Sequence, residues 1–217
     1  MSNSLSIDAN ATRWAPAERD GLPLLVLLHG YGSDENDLFG LRPFLPEGIA
    51  VAAVAAPLAP PWPAPGRSWY AIEGINGRHP DGVTDAAEAL LRWIDAEAAG
   101  ASKIALLGFS QGAAVSLQAM RLDAARFSAI VALSGYATPG DLPDDEDLRT
   151  SRPKVFWGRG THDDVIPEPL IDHTSQWLPD HSELTGRVYP GLTHSVSEDE
   201  LHDVRIFLEK WRDASAD

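Results

Sequence analysis

The sequence contains no cysteine. That excludes a disulfide framework, a thiolate metal site and a cysteine nucleophile. Lysine is scarce, at three of the 17 basic residues, and those 17 are outweighed by 32 acidic ones. The formal charge of −15 repels nucleic acid and anionic membrane surfaces, so neither is expected as a partner. Abundant carboxylates with little lysine fit a salt-adapted source or a GC-rich genome equally well, and neither bears on chemistry. No apolar run approaches the ~20 residues that span a bilayer, so no integral membrane association is expected. The opening residues, Met1-Ser2-Asn3-Ser4-Leu5-Ser6, lack the basic and apolar regions of a signal peptide, and the expected location is cytoplasmic.

What is present suits a globular domain. With 217 residues, 44% of them hydrophobic, the chain can build one domain over 1–217 with a sizeable core. Short continuous apolar runs predict buried strands at 24–28, 49–56, 103–109, 129–133, 154–157 and 186–189. Helices are expected between them: 33–44 capped by Ser33, 84–100, 111–121 and 167–178. The last helix opens at Ser197-Glu198-Asp199-Glu200, a capping box, and runs to about Trp211. Residues 57–82 form a long loop whose aromatics Trp62, Trp69 and Tyr70 call for burial. The acidic cluster at 141–147 reads as a solvated loop. Strands alternating with helices predict an α/β fold: a mostly parallel central sheet with helices on both faces. Active sites in such sheets lie beyond the C-terminal strand ends.

The motif Gly108-Phe109-Ser110-Gln111-Gly112 joins the strand at 103–109 to the helix at 111–121. A serine on that turn is held in strained geometry with its hydroxyl free of the sheet, and the flanking glycines permit close packing. A serine hydroxyl needs a histidine to take its proton, and the histidine needs a carboxylate to fix its tautomer. The order Ser, acid, His, each after a strand, is met by Ser110, Asp163 and His194. Asp164 is the alternative acid. His29 reads as structural. His79 and His181 fall in polar loops, and His173 and His202 lie within helices, so all four are expected at the surface. His162 precedes the acid. A metal site at His162, Asp163 and Asp164 lacks a spaced ligand set and is not expected. The turn His29-Gly30-Tyr31-Gly32 can present the Tyr31 N–H, and Gln111 can present a second. Together they would form an oxyanion hole, worth about 3–4 kcal/mol per donor. The side chains of Tyr31 and Gln111 are the less constrained parts.

The segments at 27–38, 108–113, 162–167 and 191–194 together resemble the phospholipase/carboxylesterase family over about residues 23–211. The resemblance implies a compact α/β-hydrolase fold with no large cap domain, no cofactor, and hydrolysis of acyl esters or thioesters. An acid motif similar to Asp-x-x-Val-Pro selects Asp163, followed here by Ile166-Pro167. Arg67-Ser68-Trp69-Tyr70 is similar to a segment lining the acyl pocket, so Trp69, Tyr70 and Ile166 are expected to bind substrate. Ala71 stands where family members often carry an aspartate. The expected activity is a serine carboxylesterase for short- to medium-chain acyl esters, and a homodimer is left open. An acyl-protein thioesterase or lysophospholipase is the nearest alternative. A non-catalytic binding protein on the same fold, and a peptidase or acyltransferase with the same three residues, are the other readings.

Overall fold

A computed structural model describes residues 4–72 and 78–214. Residues 1–3 of the segment read for targeting signals, and 73–77 of the aromatic loop, lie outside the described residues. Seven strands form one sheet: β1 (Arg13–Ala15), β2 (Leu24–Leu28), β3 (Ala50–Val54), β4 (Ile104–Phe109), β5 (Ala129–Leu133), β6 (Lys154–Gly160) and β7 (Glu183–Tyr189). Their order is β1-β3-β2-β4-β5-β6-β7. Every pair is parallel except β1 with β3. This is the α/β-hydrolase arrangement of sheet and helices.

The apolar runs become strands because both sheet faces are covered, so every strand residue needs to be apolar. Alternate residues divide between two cores. Leu24, Val26, Leu28, Ile104 and Leu106 face α2 (Pro80–Glu97) and α3 (Gln111–Leu122). Leu25, Leu27, Ala105 and Leu107 face α1 (Glu35–Phe39) and α6 (Glu198–Asp213). The two shorter expected strands lengthen to β6 and β7 because backbone pairing continues from Lys154↔Glu183 to Gly160↔Tyr189. Polar side chains are tolerated on β7 because it is an edge strand.

Several local expectations are corrected. Helix α1 is shorter than 33–44 and is capped by Asp34, whose carboxylate accepts the Asn36 N–H at 2.8 Å. Ser33 instead donates to Asp37 Oδ2 at 2.7 Å. Helix α2 begins at Pro80 rather than Thr84, since proline at the first helical position is already set for the turn. Strand β1, too short to show a pattern, joins the edge as Trp14 stacks on Trp93 with centroids 5.7 Å apart. The 141–147 cluster is no plain solvated loop. It opens α4 (Asp145–Ser151), and Asp145 forms a two-pronged pair with the buried Arg121 at 2.7 and 2.8 Å. His181 closes α5 (Glu168–His181) and is buried, stacked on Trp177 at 4.1 Å. Trp62 is 92% exposed, because it lies on the turn between the bridged residues Leu58 and Ser68 while Trp69 and Tyr70 take the buried places.

The strand order positions the site. From β2 the chain steps outward to β3 and then returns past β2 to β4. The loops after β2 and β4 therefore diverge and leave a crevice at the C-terminal strand ends. His29-Gly30-Tyr31 follows β2, and Ser110 follows β4.

Candidate active site

Ser110 sits between β4 and α3 with φ 55° and ψ −113°, a region a residue with a Cβ occupies at a cost of roughly 1–3 kcal/mol. Its N–H is anchored on the Leu133 carbonyl of β5 at 2.9 Å. The flanking glycines are dictated by contact. A Cβ on Gly108 would lie 2.3 Å from the Gly112 backbone, and one on Gly112 would lie 2.0 Å from the Leu28 carbonyl oxygen. The turn thus closes only when both positions lack a side chain.

Asp163 and His194 arrive on the loops after β6 and β7. The two loops are stitched together: His162 N–H donates to the Leu192 carbonyl at 2.9 Å, and Gly191 N–H donates to Thr161 Oγ1 at 2.8 Å. Gly160 lets them touch, since a Cβ there would meet the Leu192 oxygen at 1.9 Å. His194 Nδ1 is 2.8 Å from Asp163 Oδ2, and His194 Nε2 is 2.9 Å from Ser110 Oγ. The tautomer consistent with this line carries its proton on Nδ1, donates it to Asp163 and leaves the Nε2 lone pair facing the hydroxyl. Asp163 Oδ1 accepts the N–H groups of Val165 and Ile166 at 3.0 and 3.2 Å. The carboxylate is 2% exposed. Burial works against its charge, but the His194 bond and the two N–H donors outweigh burial and hold its pKa below the ordinary value. Asp164 is exposed. The ring of Phe109 packs on His194 with centroids 4.9 Å apart.

This line opens into a cavity of about 310 Å³. Gly30, Tyr31, Gln111, Tyr70, Tyr136 and Ile166 are among its walls. Among the described residues, neither the Tyr31 nor the Gln111 backbone N–H donates to a protein acceptor, so both are available to a ligand oxygen. Among the described residues, no group of three or more His, Asp or Glu side chains could hold a metal ion. The arrangement can polarise a serine hydroxyl and receive an oxygen anion beside it.

A sequence model of the phospholipase/carboxylesterase family matches residues 14–212. The chain belongs to that family. Over 112 residues it is 35% identical to acyl-protein thioesterase 1 of Saccharomyces cerevisiae, an alignment covering 50% of this chain and 49% of the yeast protein. It is 28% identical over 159 residues to esterase YpfH of Escherichia coli, covering 69% and 63% of the two chains. The match thus spans about half the length of the curated yeast relative. Among solved structures, esterase PE8 superposes with a TM-score of 0.77 at 26% identity, over 95% of this chain and 99% of that one.

Within this family frame, the expected pocket residues divide. Tyr70 and Ile166 line the cavity, whereas Trp69 does not. Trp69 is fully buried, and its indole N–H donates to the His29 carbonyl at 2.8 Å, so it backs the wall from behind. Ala71 is exposed and outside the lining. The His29 ring is structural: Nδ1 is 2.7 Å from the Gly30 carbonyl, and Nε2 accepts the Ala56 N–H at 3.2 Å. A second ring proton would point at that N–H, and burial lowers the pKa accordingly.

Two residues carry more than their sequence positions announced. The side chain of Gln111, expected to be loosely constrained, is a buried clamp. Its oxygen accepts the Trp69 N–H at 3.0 Å, and its amide donates to the Tyr70 carbonyl at 2.8 Å. The cap of α6 is only half a capping box. Ser197 Oγ accepts the Glu200 N–H at 3.1 Å, but the Glu200 carboxyl turns inward. It is 0% exposed and has no hydrogen-bond partner among the described residues. It occupies the space a Cβ on Gly158 would need, 2.2 Å from Oε1. Burial raises its pKa to about 7; the nearby Ser197 backbone opposes this and Asp203 adds to it.

Proposed function

We propose that the chain is a serine carboxylesterase acting on short- to medium-chain acyl esters. The unbroken line from Asp163 through His194 to Ser110, opening into a cavity of about 310 Å³, carries the reading. His194 Nε2 takes the Ser110 proton as Oγ attacks the ester carbonyl. The N–H groups of Tyr31 and Gln111 hold the oxygen anion of the tetrahedral intermediate. Its collapse expels the alcohol, which leaves with the proton held on His194, and an acyl-enzyme remains. Water then enters, gives a proton to His194 and attacks the acyl carbonyl. Release of the acid restores Ser110. Asp163 holds the ring orientation and offsets the imidazolium charge throughout. One domain suffices for all of these parts, which come from one sheet, and the working location inferred with them is the cytoplasm.

Thioester hydrolysis is the second reading. It is favoured by the 35% identity to a yeast acyl-protein thioesterase, since the same three groups attack either carbonyl. Both readings are tested with p-nitrophenyl and thioester substrates of graded chain length, together with a fluorophosphonate probe. Wild-type protein should be labelled at Ser110 and lose labelling and hydrolysis in Ser110→Ala. Full activity in purified Ser110→Ala would sink both readings.

A further inference from the structure

The cavity wall holds two phenols, Tyr70 and Tyr136, with their hydroxyl oxygens 2.8 Å apart. Both residues are 1% exposed. Two hydroxyls carry two protons, and only one can lie between the oxygens. The second has no protein acceptor among the described residues. A buried O–H without an acceptor is costly, and the cavity both rings line is where that donor can be satisfied.

The pair is fixed in place. Tyr70 is held through its carbonyl by the Gln111 clamp. Tyr136 follows Ser134, which has φ 47°, and Gly135, whose carbonyl accepts the Trp157 indole N–H at 3.0 Å. Burial raises both phenol pKa values, so both hydroxyls remain protonated donors at neutral pH. Arg78, another lining residue, donates to the Val165 carbonyl at 3.0 Å, and its charge is felt at both hydroxyls. An electron-rich oxygen is favoured there, whereas an alkyl chain would leave the donor stranded.

We propose that the cleft prefers substrates with a second acceptor oxygen, an ether, carbonyl or hydroxyl remote from the scissile carbonyl, received by the Tyr70–Tyr136 hydroxyl pair. This rests on the esterase reading and names the substrate class of that site. The remote oxygen can belong to the acyl chain or to the alcohol, and two substrate series distinguish them. In the first, p-nitrophenyl alkanoates are compared with esters of equal length whose methylene at least three carbons from the carbonyl is replaced by oxygen. In the second, alkyl acetates are compared with their ether isosteres. The readout is the ratio of kcat/KM for the oxygenated over the plain substrate, so general losses cancel. In wild type one series should show a ratio of about ten. The ratio should fall to near one in Tyr70→Phe/Tyr136→Phe, whereas each single variant still presents one free O–H and should retain a ratio well above one. A wild-type ratio of one in both series, with Ser110 still labelled by the fluorophosphonate, would overturn this proposal alone. So would an undiminished ratio in the double variant. Failure of Ser110 to label would remove the esterase reading and this inference with it.

Discussion

Replacing Glu200 by glutamine should stabilise the protein at alkaline pH and not at acid pH. The carboxyl is fully buried at the start of α6, has no hydrogen-bond partner among the described residues, and titrates near pH 7 instead of its ordinary 4.5. Among the described residues it forms no ion pair. Asp203, one turn on, is itself held by the Tyr189 hydroxyl at 3.0 Å and faces Arg187 at 3.4 Å. The folded state thus binds this proton more tightly than the unfolded chain. Its contribution is fully present below about pH 4.5, erodes as pH rises, and is lost above about pH 7. The gap from 4.5 to about 7 corresponds to about 3 kcal/mol. Glutamine keeps the shape and cannot ionise, and any cost of its unpartnered amide is the same at every pH. The diagnostic quantity is the melting-temperature difference between variant and wild type, followed by calorimetry from pH 5 to pH 8.5. It should grow in the variant's favour by about 6–12 °C for a chain of this size. A difference that stays constant across that range would refute the reasoning, whatever its absolute value.

Asp163→Asn keeps the size of the acid but favours the wrong His194 tautomer, so kcat should fall by a factor on the order of 10³–10⁴ with KM little changed, read by steady-state ester hydrolysis. Arg121→Ala leaves the Asp145 carboxylate without its guanidinium, the bond that holds its pKa down against burial. It should cost about 3–5 kcal/mol in urea unfolding at pH 7. Part of that loss should be recovered as pH falls and Asp145 is protonated.

The three proposed catalytic residues were legible in the sequence because each sits where a short apolar run ends, and strand ends in a parallel sheet converge on one edge. Chain order then left a single histidine, His194, on the loop between the last strand and the last helix. The strands were readable for the same reason: burial on both faces makes an unbroken apolar run. What sequence reading missed depends on partners far along the chain. Trp69 is neither pocket wall nor plain core, because its indole N–H is committed to the carbonyl of His29, 40 residues earlier. Asp145 looks like one solvated acid among several until Arg121 is placed beside it. Glu200 satisfies the capping-box spacing, yet its carboxyl goes to the space opened by Gly158, which no local pattern encodes.

Gln111 joins two tasks in one residue. Its backbone N–H is one of the two donors proposed to hold the oxygen anion, and its side chain holds the wall segment from Trp69 to Tyr70. Wall and donor are therefore mechanically geared. A substrate too bulky for the cavity would push on Tyr70 and, through the amide clamp, would pull on the first turn of α3. Misfit would thereby be converted from weaker binding into slower chemistry, and selectivity in the proposed reaction would be written in kcat.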